Sequence, residues 1–473
     1  MNRLVVISNR VPAPSDGAPS AGGLAIALNG LLDRCGGLWF GWSGKVDAGA
    51  GDQEAKLVRR GEIDYATIDL TRAEHDRYYN NFSNGVLWPL LHTLPEMMVY
   101  NRRDAVAYQA VNQRFADALK PLLRADDVLW IHDYHLMALP ALLRAAGVRN
   151  PIGFFLHIPF CPPELIAQAP NGGELVADLL SADLVGFQTQ GDLEHFAAGA
   201  RTMAGAASAG AEAVQRNGHT TQLGVFPAEI EPREFAAAAV TAARSKDCQR
   251  LRLSLGKQSL ILGVDRLDPT KGLLQRLAGF RRMLERHPEW HRRATLLQIA
   301  AVSRKEVTAY QELRLALDRD AGAINSDFGE PDWSPLRLVA KAGARNTIAG
   351  HMRAARVGLV TPLRDGMNLV AKEFVAAQDP GDPGVLILSE FAGAAHQLGA
   401  ALMVNPYDAD QMSDMLAQAL RMKLAERQER WGAMWETLQQ TSPVVWGRNF
   451  LGALTLATAD APAGRVQALT RRA

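Results

Sequence analysis

The sequence predicts an α/β protein made of two halves, each a parallel sheet covered by helices. Three observations carry that expectation. Short, nearly all-apolar runs alternate with stretches of helical spacing along most of the chain, and such runs suit strands buried on both faces. The alternation begins again after residue 230, which calls for two sheets rather than one. Polar residues able to do chemistry fall just after predicted strands, where ligands bind in folds of this class.

Taken in order, the first half has strands at 4–9, 128–133, 152–158, 184–189 and 223–226, with helical patterns at 136–146 and 192–200. The opening run, MNRLVVISNR, is too short and too weakly basic for a signal peptide and reads as the first strand. The second half has strands at 260–266, 295–301, 357–360, 385–389 and 401–405, with helices at 272–286, 305–319 and 368–377. Two prolines in PAEIEPREF (227–235) mark the boundary. The domains are then 1–230 and 231–446, two Rossmann-like units facing each other across a cleft. Residues 447–473 form a C-terminal helix and tail that packs back on the first domain, frayed at its end around Arg471 and Arg472. Alanine-rich tracts at 197–213 and 236–243 read as surface helices or loops.

At 473 residues the chain has room for two large domains, and 48% apolar with 21% charged residues is the balance of an ordinary soluble protein. A net charge of +1 speaks against a nucleic-acid or membrane-surface role, so an anionic ligand must be gripped by local arginines and lysines. Cys35, Cys161 and Cys248 are odd in number and none lies in a CxxC pair. No disulfide framework or structural zinc site follows, and a reducing compartment fits. No run approaches the ~20 apolar residues of a membrane span. A soluble, cytoplasmic protein is expected.

The most informative stretch is VGLVTPLRDGMNLVAKE (357–373): strand, loop, then helix. Asn368 stands at the N-cap with Leu369 and Val370 as the first helical residues, whose N–H groups can seat a phosphate or polar oxygen. Asp365 and Glu373 can face one ligand, one carboxylate for sugar hydroxyls and one for a ribose. An ordinary strand-to-helix turn flanked by solvated acids is the competing reading. After the first strand come Arg10 and the loop ending SAGGL (20–24), whose Gly22 and Gly23 would let backbone amides approach a phosphate. WIHDYHL (130–136) and FFLHIPF (154–160) each end a buried strand with polar groups: His132 and Asp133, then His157. His132 and His135 are spaced i, i+3 across a strand-to-helix junction with no third ligand, so a metal pair is disfavoured. In GVDRLDPTKG (263–272), Arg266 and Lys271 flank a helix start, as suits a diphosphate leaving group. Arg304 follows the next strand as a further phosphate ligand.

Together these segments resemble glycosyltransferase family 20, the trehalose-6-phosphate synthases of the two-Rossmann GT-B fold. The matching motifs are SNR (8–10), SAGGL, GLWFGWSG (37–44), YYNNFSNGVLWP (78–89), WIHDYHL, GFFLHIPF, VDRLDPTKG and the stretch 357–373, followed by FAGAA at Phe391 and VNPYD at Val404. They run in order over essentially the whole chain apart from the C-terminal tail. The resemblance implies retaining transfer of glucose from UDP-glucose to glucose 6-phosphate, in trehalose biosynthesis and osmoprotection, with no metal and no other cofactor. By motif, Gly22, Gly23, Arg266 and Lys271 would grip the donor diphosphate. Asp365 and the backbone of Gly366, Met367 and Asn368 would hold the donor glucose. Leu369 and Val370 would offer amides, and Glu373 the ribose carboxylate. Arg10, Tyr79, Trp88, Asp133 and Arg304 would form the acceptor pocket. His157 would lie beside the reacting sugar, so that His157, Asp365, Arg266 and Lys271 make up the catalytic set. Partners are these small molecules, with no nucleic acid and no membrane, and with a homo-oligomer left open.

The chain departs from the family pattern in places. Cys161 follows HIPF where proline is usual, Glu229 replaces a glycine of the interdomain turn, and Pro269 stands where an aromatic is frequent. The segment 337–356, with Gly343 and Gly350, is unusual for the family. Rival readings are a GT-B transferase with another donor or acceptor, a phosphorylase, a sugar-phosphate sensor without catalysis, or a two-domain hydrolase. A phosphorylase lacks its cofactor-lysine motif here, and a sensor would be expected to have lost one of Arg266, Lys271, Asp365 or Glu373.

Overall fold

The computed structural model describes residues 3–11, 23–47, 49, 54–304 and 306–459. The chain divides into two compact units, one running to Ala228 and resuming at Pro443, the other spanning Glu229–Ser442.

The first unit is built on a ten-stranded sheet: β1 (Leu4–Arg10), β2 (Gly37–Val46), β3 (Lys56–Arg60), β4 (Ile63–Leu70), β5 (Val128–His132), β6 (Ile152–Phe155), β7 (Leu184–Phe187), β8 (Ala207–Gly210), β9 (Ala213–Arg216) and β10 (His219–Val225). Their order is β3-β4-β2-β1-β5-β6-β7-β10-β9-β8. The strands from β4 to β10 in that order are parallel, with antiparallel β3 on one edge and the β8–β9 hairpin on the other. Successive β1 side chains enter opposite cores, Val5 and Ile7 one, Leu4 and Val6 the other. A parallel strand covered on both faces needs that all-apolar composition. The second core is closed by the helix Pro443–Ala457, whose Trp446 and Phe450 lie 4.9 and 4.7 Å from the Trp130 ring.

The second unit has six parallel strands: β11 (Ser259–Arg266), β12 (Ala294–Ala301), β13 (Leu336–Val339), β14 (Val357–Val360), β15 (Val385–Ser389) and β16 (Leu402–Val404). They are ordered β13-β12-β11-β14-β15-β16. The chain starts in the middle, moves outward to β13, then returns beside β11 to lay down the other three. In folds of this class ligands bind at such a reversal, outside the C-terminal ends of the strands. The same reversal occurs between β1 and β5 in the first unit.

The predicted α/β class with two parallel sheets is the fold observed. Some local expectations change. The alanine-rich tract 197–213 is not surface helix or loop throughout: after the helix Gln190–Met203 it forms β8 and enters β9, because an edge hairpin satisfies backbone groups there whatever the side chains. The helix expected at 305–319 runs Thr308–Phe328. The motif YYNNFSNGVLWP lies largely in a π-helix, His75–Leu87, an uncommon form often found at functional sites.

Candidate active site

The loops leaving β11 and β14 meet at the reversal of the second sheet. Lys271 Nζ lies 2.6 Å from Asp365 Oδ2, so the cation expected at the diphosphate and the carboxylate expected at the sugar form one ion pair. Asn368 joins them: its Nδ2 donates to Asp365 Oδ2 at 2.9 Å. Its Oδ1 accepts from the Ala371 N–H at 3.2 Å, the N-cap role read from the sequence. That cap leaves the amides of Leu369 and Val370, first in the helix Leu369–Ala377, without an intrahelical acceptor. The loop is clamped from outside by FAGAA: Gly393 N–H donates to the Asp365 carbonyl and Ala394 N–H to that of Met367, at 3.1 and 2.7 Å. A side chain at Gly393 would meet the Gly366 carbonyl at 1.9 Å, which explains the small residue there.

Beneath lies a brace that sequence reading missed. Arg276, fully buried, donates to Asp265 at 2.5 Å, Gln298 at 2.8 Å and Thr361 at 3.0 Å, tying the end of β11 and the residue after β14 to the middle of β12. The signal was an arginine on an otherwise apolar helix face, which has to find partners when buried.

Arg266 and Arg304 converge on a second buried residue, Asp268. Its Oδ2 lies 3.5 Å from Arg304 Nη1 and 4.0 Å from Arg266 Nη2, and accepts from the Tyr310 hydroxyl at 3.0 Å. Arg304 also bonds the Tyr310 hydroxyl. Asp268 was not singled out in the sequence, although its Oδ1 caps the turn holding Lys271 by accepting from the Thr270 amide. Glu373 is paired with Arg345 at 3.2 Å. Burial pushes the Glu373 carboxyl up, opposed by that arginine. Arg345, from the segment 337–356, lies over the Phe235 ring at 5.1 Å and is a further residue that sequence reading passed over.

In the first unit Asp133 and His157 come together where β5 and β6 end: the His157 amide donates to Asp133 Oδ1 at 3.2 Å. His157 Nε2 lies 3.0 Å from His132 Nδ1. Burial pushes both imidazoles down, His132 well below its ordinary value and His157 to about 3, so both are neutral near pH 7. Tyr79 sits on the π-helix, stacked on His135 at 5.7 Å. Trp88, just past that helix, is buried against His92 and Tyr134. Tyr78, its neighbour on the π-helix, donates to Asn9 at 2.8 Å and so joins this wall to the end of β1, where Arg10 is exposed. A Cβ at Gly44, where φ is +86°, would meet the Arg10 guanidinium at 2.7 Å, so GLWFGWSG leaves room for that side chain. Gly23 begins the helix Gly23–Cys35, and Gly22 lies outside the described residues.

Of the six described non-glycine residues with positive φ, Asp133, Arg304 and Asn368 are three. Backbone strain thus gathers on the residues singled out for ligand contact, as at functional sites generally.

The family model described as Glycosyltransferase family 20 matches residues 3–455. The chain belongs to glycosyltransferase family 20. A relative in Sinorhizobium fredii, a trehalose-6-phosphate synthase, is 45% identical over 460 residues, covering 96% of this chain and 98% of its own. The solved α,α-trehalose-phosphate synthase (UDP-forming) of Burkholderia vietnamiensis matches with a TM-score of 0.95 at 44% identity, covering 98% of this chain and 99% of that one. The Burkholderia xenovorans enzyme, solved in complex with glucose 6-phosphate, matches at 0.92 and 45%, covering 96% and 100%. The two sheets are those of the GT-B fold.

Proposed function

We propose that this chain transfers glucose from UDP-glucose to glucose 6-phosphate, releasing UDP and α,α-trehalose 6-phosphate, the first step of trehalose biosynthesis. The reading rests most on one observation: near-full-length likeness to a UDP-forming synthase solved with glucose 6-phosphate. Arg266, Lys271, Asp365 and Glu373, the charged groups the reaction needs, are all present.

Lys271 and Arg266 take up charge on the departing diphosphate, while Asp365 and the backbone of residues 366–368 hold the glucose. The amides of Leu369 and Val370 and the Glu373 carboxylate hold the nucleotide, with Gly22 and Gly23 at the diphosphate. Arg10, Tyr79, Trp88, Asp133 and Arg304 receive the acceptor. Transfer proceeds with retention and without a covalent glycosyl-enzyme. The acceptor hydroxyl attacks the anomeric carbon on the face that UDP leaves, the bond to the phosphate oxygen breaks, and that oxygen takes the hydroxyl proton. His157 orients the donor sugar. The two cations supply the charge stabilisation that a metal would otherwise give. The three cysteines, all free, suit a reducing cytoplasm.

The test is incubation with UDP-glucose and glucose 6-phosphate, following UDP and a non-reducing disaccharide phosphate. Both should appear together and at the same rate with EDTA present. UDP release with only another acceptor, or no turnover with any sugar phosphate, would favour a different transferase or a sensor; a strict need for Mg²⁺ or Mn²⁺ would contradict the metal-free mechanism.

A further inference from the structure

We propose that His132 is a positioning residue: it fixes His157 in the tautomer that carries its proton on Nδ1, making that ring a hydrogen-bond donor to the sugar and not a base. The inference rests on the transferase reading above and goes beyond it by assigning a proton to a named atom.

His132 is fully buried and ends β5. Its Nδ1 lies 3.0 Å from His157 Nε2. Its other nitrogen, Nε2, is buried with no hydrogen-bond partner among the described residues. The indoles of Trp130 and Trp446 lie 4.6 and 6.3 Å from the His132 ring, centroid to centroid. His157 sits against Phe155 at 4.6 Å and Trp446 at 6.0 Å. Its main chain is held on both sides, its amide donating to Asp133 Oδ1 at 3.2 Å and its carbonyl accepting from Gln188 Nε2 at 3.4 Å. Among the described residues the ring is therefore placed by a fixed backbone and a single polar contact, the one to His132.

Two neutral imidazoles joined by one N–N hydrogen bond place a single proton between them, and only two arrangements exist. In the first, His132 Nδ1–H donates to His157 Nε2. His157 then carries its proton on Nδ1, and the bare nitrogen of His132 is its buried Nε2. In the second, His157 Nε2–H donates to His132. His132 then buries an N–H with no oxygen to receive it, and His157 presents a lone pair. Orphaned buried donors are rarer and costlier than under-satisfied acceptors. The first arrangement wins. It also suits the chemistry: a neutral N–H can hold a sugar hydroxyl oxygen while the anomeric carbon gains positive charge, whereas a cationic ring would repel it.

The test has two arms. The first uses ¹⁵N-histidine-labelled, ligand-free enzyme and reads the long-range couplings of the His157 ring, independently of any turnover. Expected is a protonated Nδ1 and an unprotonated Nε2; the reverse pattern overturns the proposal whether or not the chain is a transferase. The second arm compares His132→Leu with His132→Asn, whose carboxamide N–H can replace the lost donor. The leucine variant should show mixed His157 tautomers and a roughly tenfold lower kcat with KM for glucose 6-phosphate little changed, and the asparagine variant should recover both. An unchanged tautomer in the leucine variant, or equal loss in both variants, overturns it. Should the leucine variant not fold, the wild-type spectrum alone decides.

Discussion

The loops after β11 and β14 in the second unit and those after β5 and β6 in the first all leave the C-terminal ends of parallel strands in two similar sheets, yet they are held in opposite ways. In the second unit, groups assigned to ligands are paired with opposite charges: Lys271 with Asp365, Arg304 with Asp268, Arg345 with Glu373. In the first, the centre at the ends of β5 and β6 has rings and two imidazoles kept neutral by burial, and its carboxyl, Asp133, accepts from the backbone amide of His157. The contrast follows the work proposed for each. A diphosphate departing with growing negative charge needs fixed cations, and carboxylates keep those cations in place when no ligand is bound. A sugar gaining positive charge needs neutral dipoles nearby. If that division is real, removing charge should be costly in the second unit, and protonation should be what disturbs the first.

The largest effect is expected at a buried ion pair of the second unit. Glu229 is buried with Lys372 Nζ at 2.7 Å and accepts from Gln397 Nε2 at 2.9 Å. Burial pushes the Lys372 ammonium down, opposed by Glu229. Glu229→Ala leaves that ammonium buried without its carboxylate and should cost about 3–5 kcal/mol in urea unfolding, while Glu229→Leu with Lys372→Met together should restore most of it. Equal stability of Glu229→Ala and wild type would show that the pair is not a structural necessity of the second unit.

Next comes the acceptor phosphate. Arg10 and Arg304 would each give a planar fork to its oxygens. Glucose lacks the phosphate and forfeits those charge-assisted hydrogen bonds, so glucose should be poorer than glucose 6-phosphate by ~10³-fold in kcat/KM. Arg304→Ala should narrow the gap by damaging use of the phosphorylated sugar; comparable efficiency of the two sugars in the unmutated enzyme removes the assignment. Somewhat smaller, Lys271→Ala and Arg266→Ala should each lower kcat by ~10²-fold with little change in melting temperature. Near-normal turnover in either would take that residue out of the mechanism and weaken the contrast between the units.

What the sequence made legible follows from the same physics. β14 and the helix after it could be read directly, because an apolar run, a loop and an asparagine cap are local signals, and Asn368 caps as expected. The β1 and β11 strands were visible for the same reason. Asp268 and Arg276 were not, since their importance lies in partners brought by other strands: Tyr310 and Arg304 come from beyond β12, Gln298 from β12 and Thr361 from the end of β14. The π-helix carrying Tyr79 was hidden too. Its hydrogen bonds are set by tertiary contacts such as that of Tyr78 with Asn9, and not by the periodicity of YYNNFSNGVLWP.

The smallest predicted effect concerns pH and addresses the neutral half of the comparison. His132 and His157 have folded pKa values below that of an unfolded histidine, His157 at about 3. Between that value and ~6.5 the unfolded chain binds protons that the folded chain refuses. Their contribution to stability is therefore full above ~6.5 and is lost as pH falls toward 3. Asp178 acts oppositely in part of this window, because burial pushes its carboxyl up to about 6 and the folded state takes up its proton first. Comparing two proteins that share Asp178 cancels that term. Urea unfolding of wild type and His132→Phe from pH 7.5 to 4.5 should show a shallower acid loss in the variant, by at most one proton, about 1.4 kcal/mol per pH unit. Parallel pH dependences in the two proteins would mean that His132 takes up its proton alike in the folded and unfolded chain. The neutral imidazole pair would then no longer distinguish the first unit from the second.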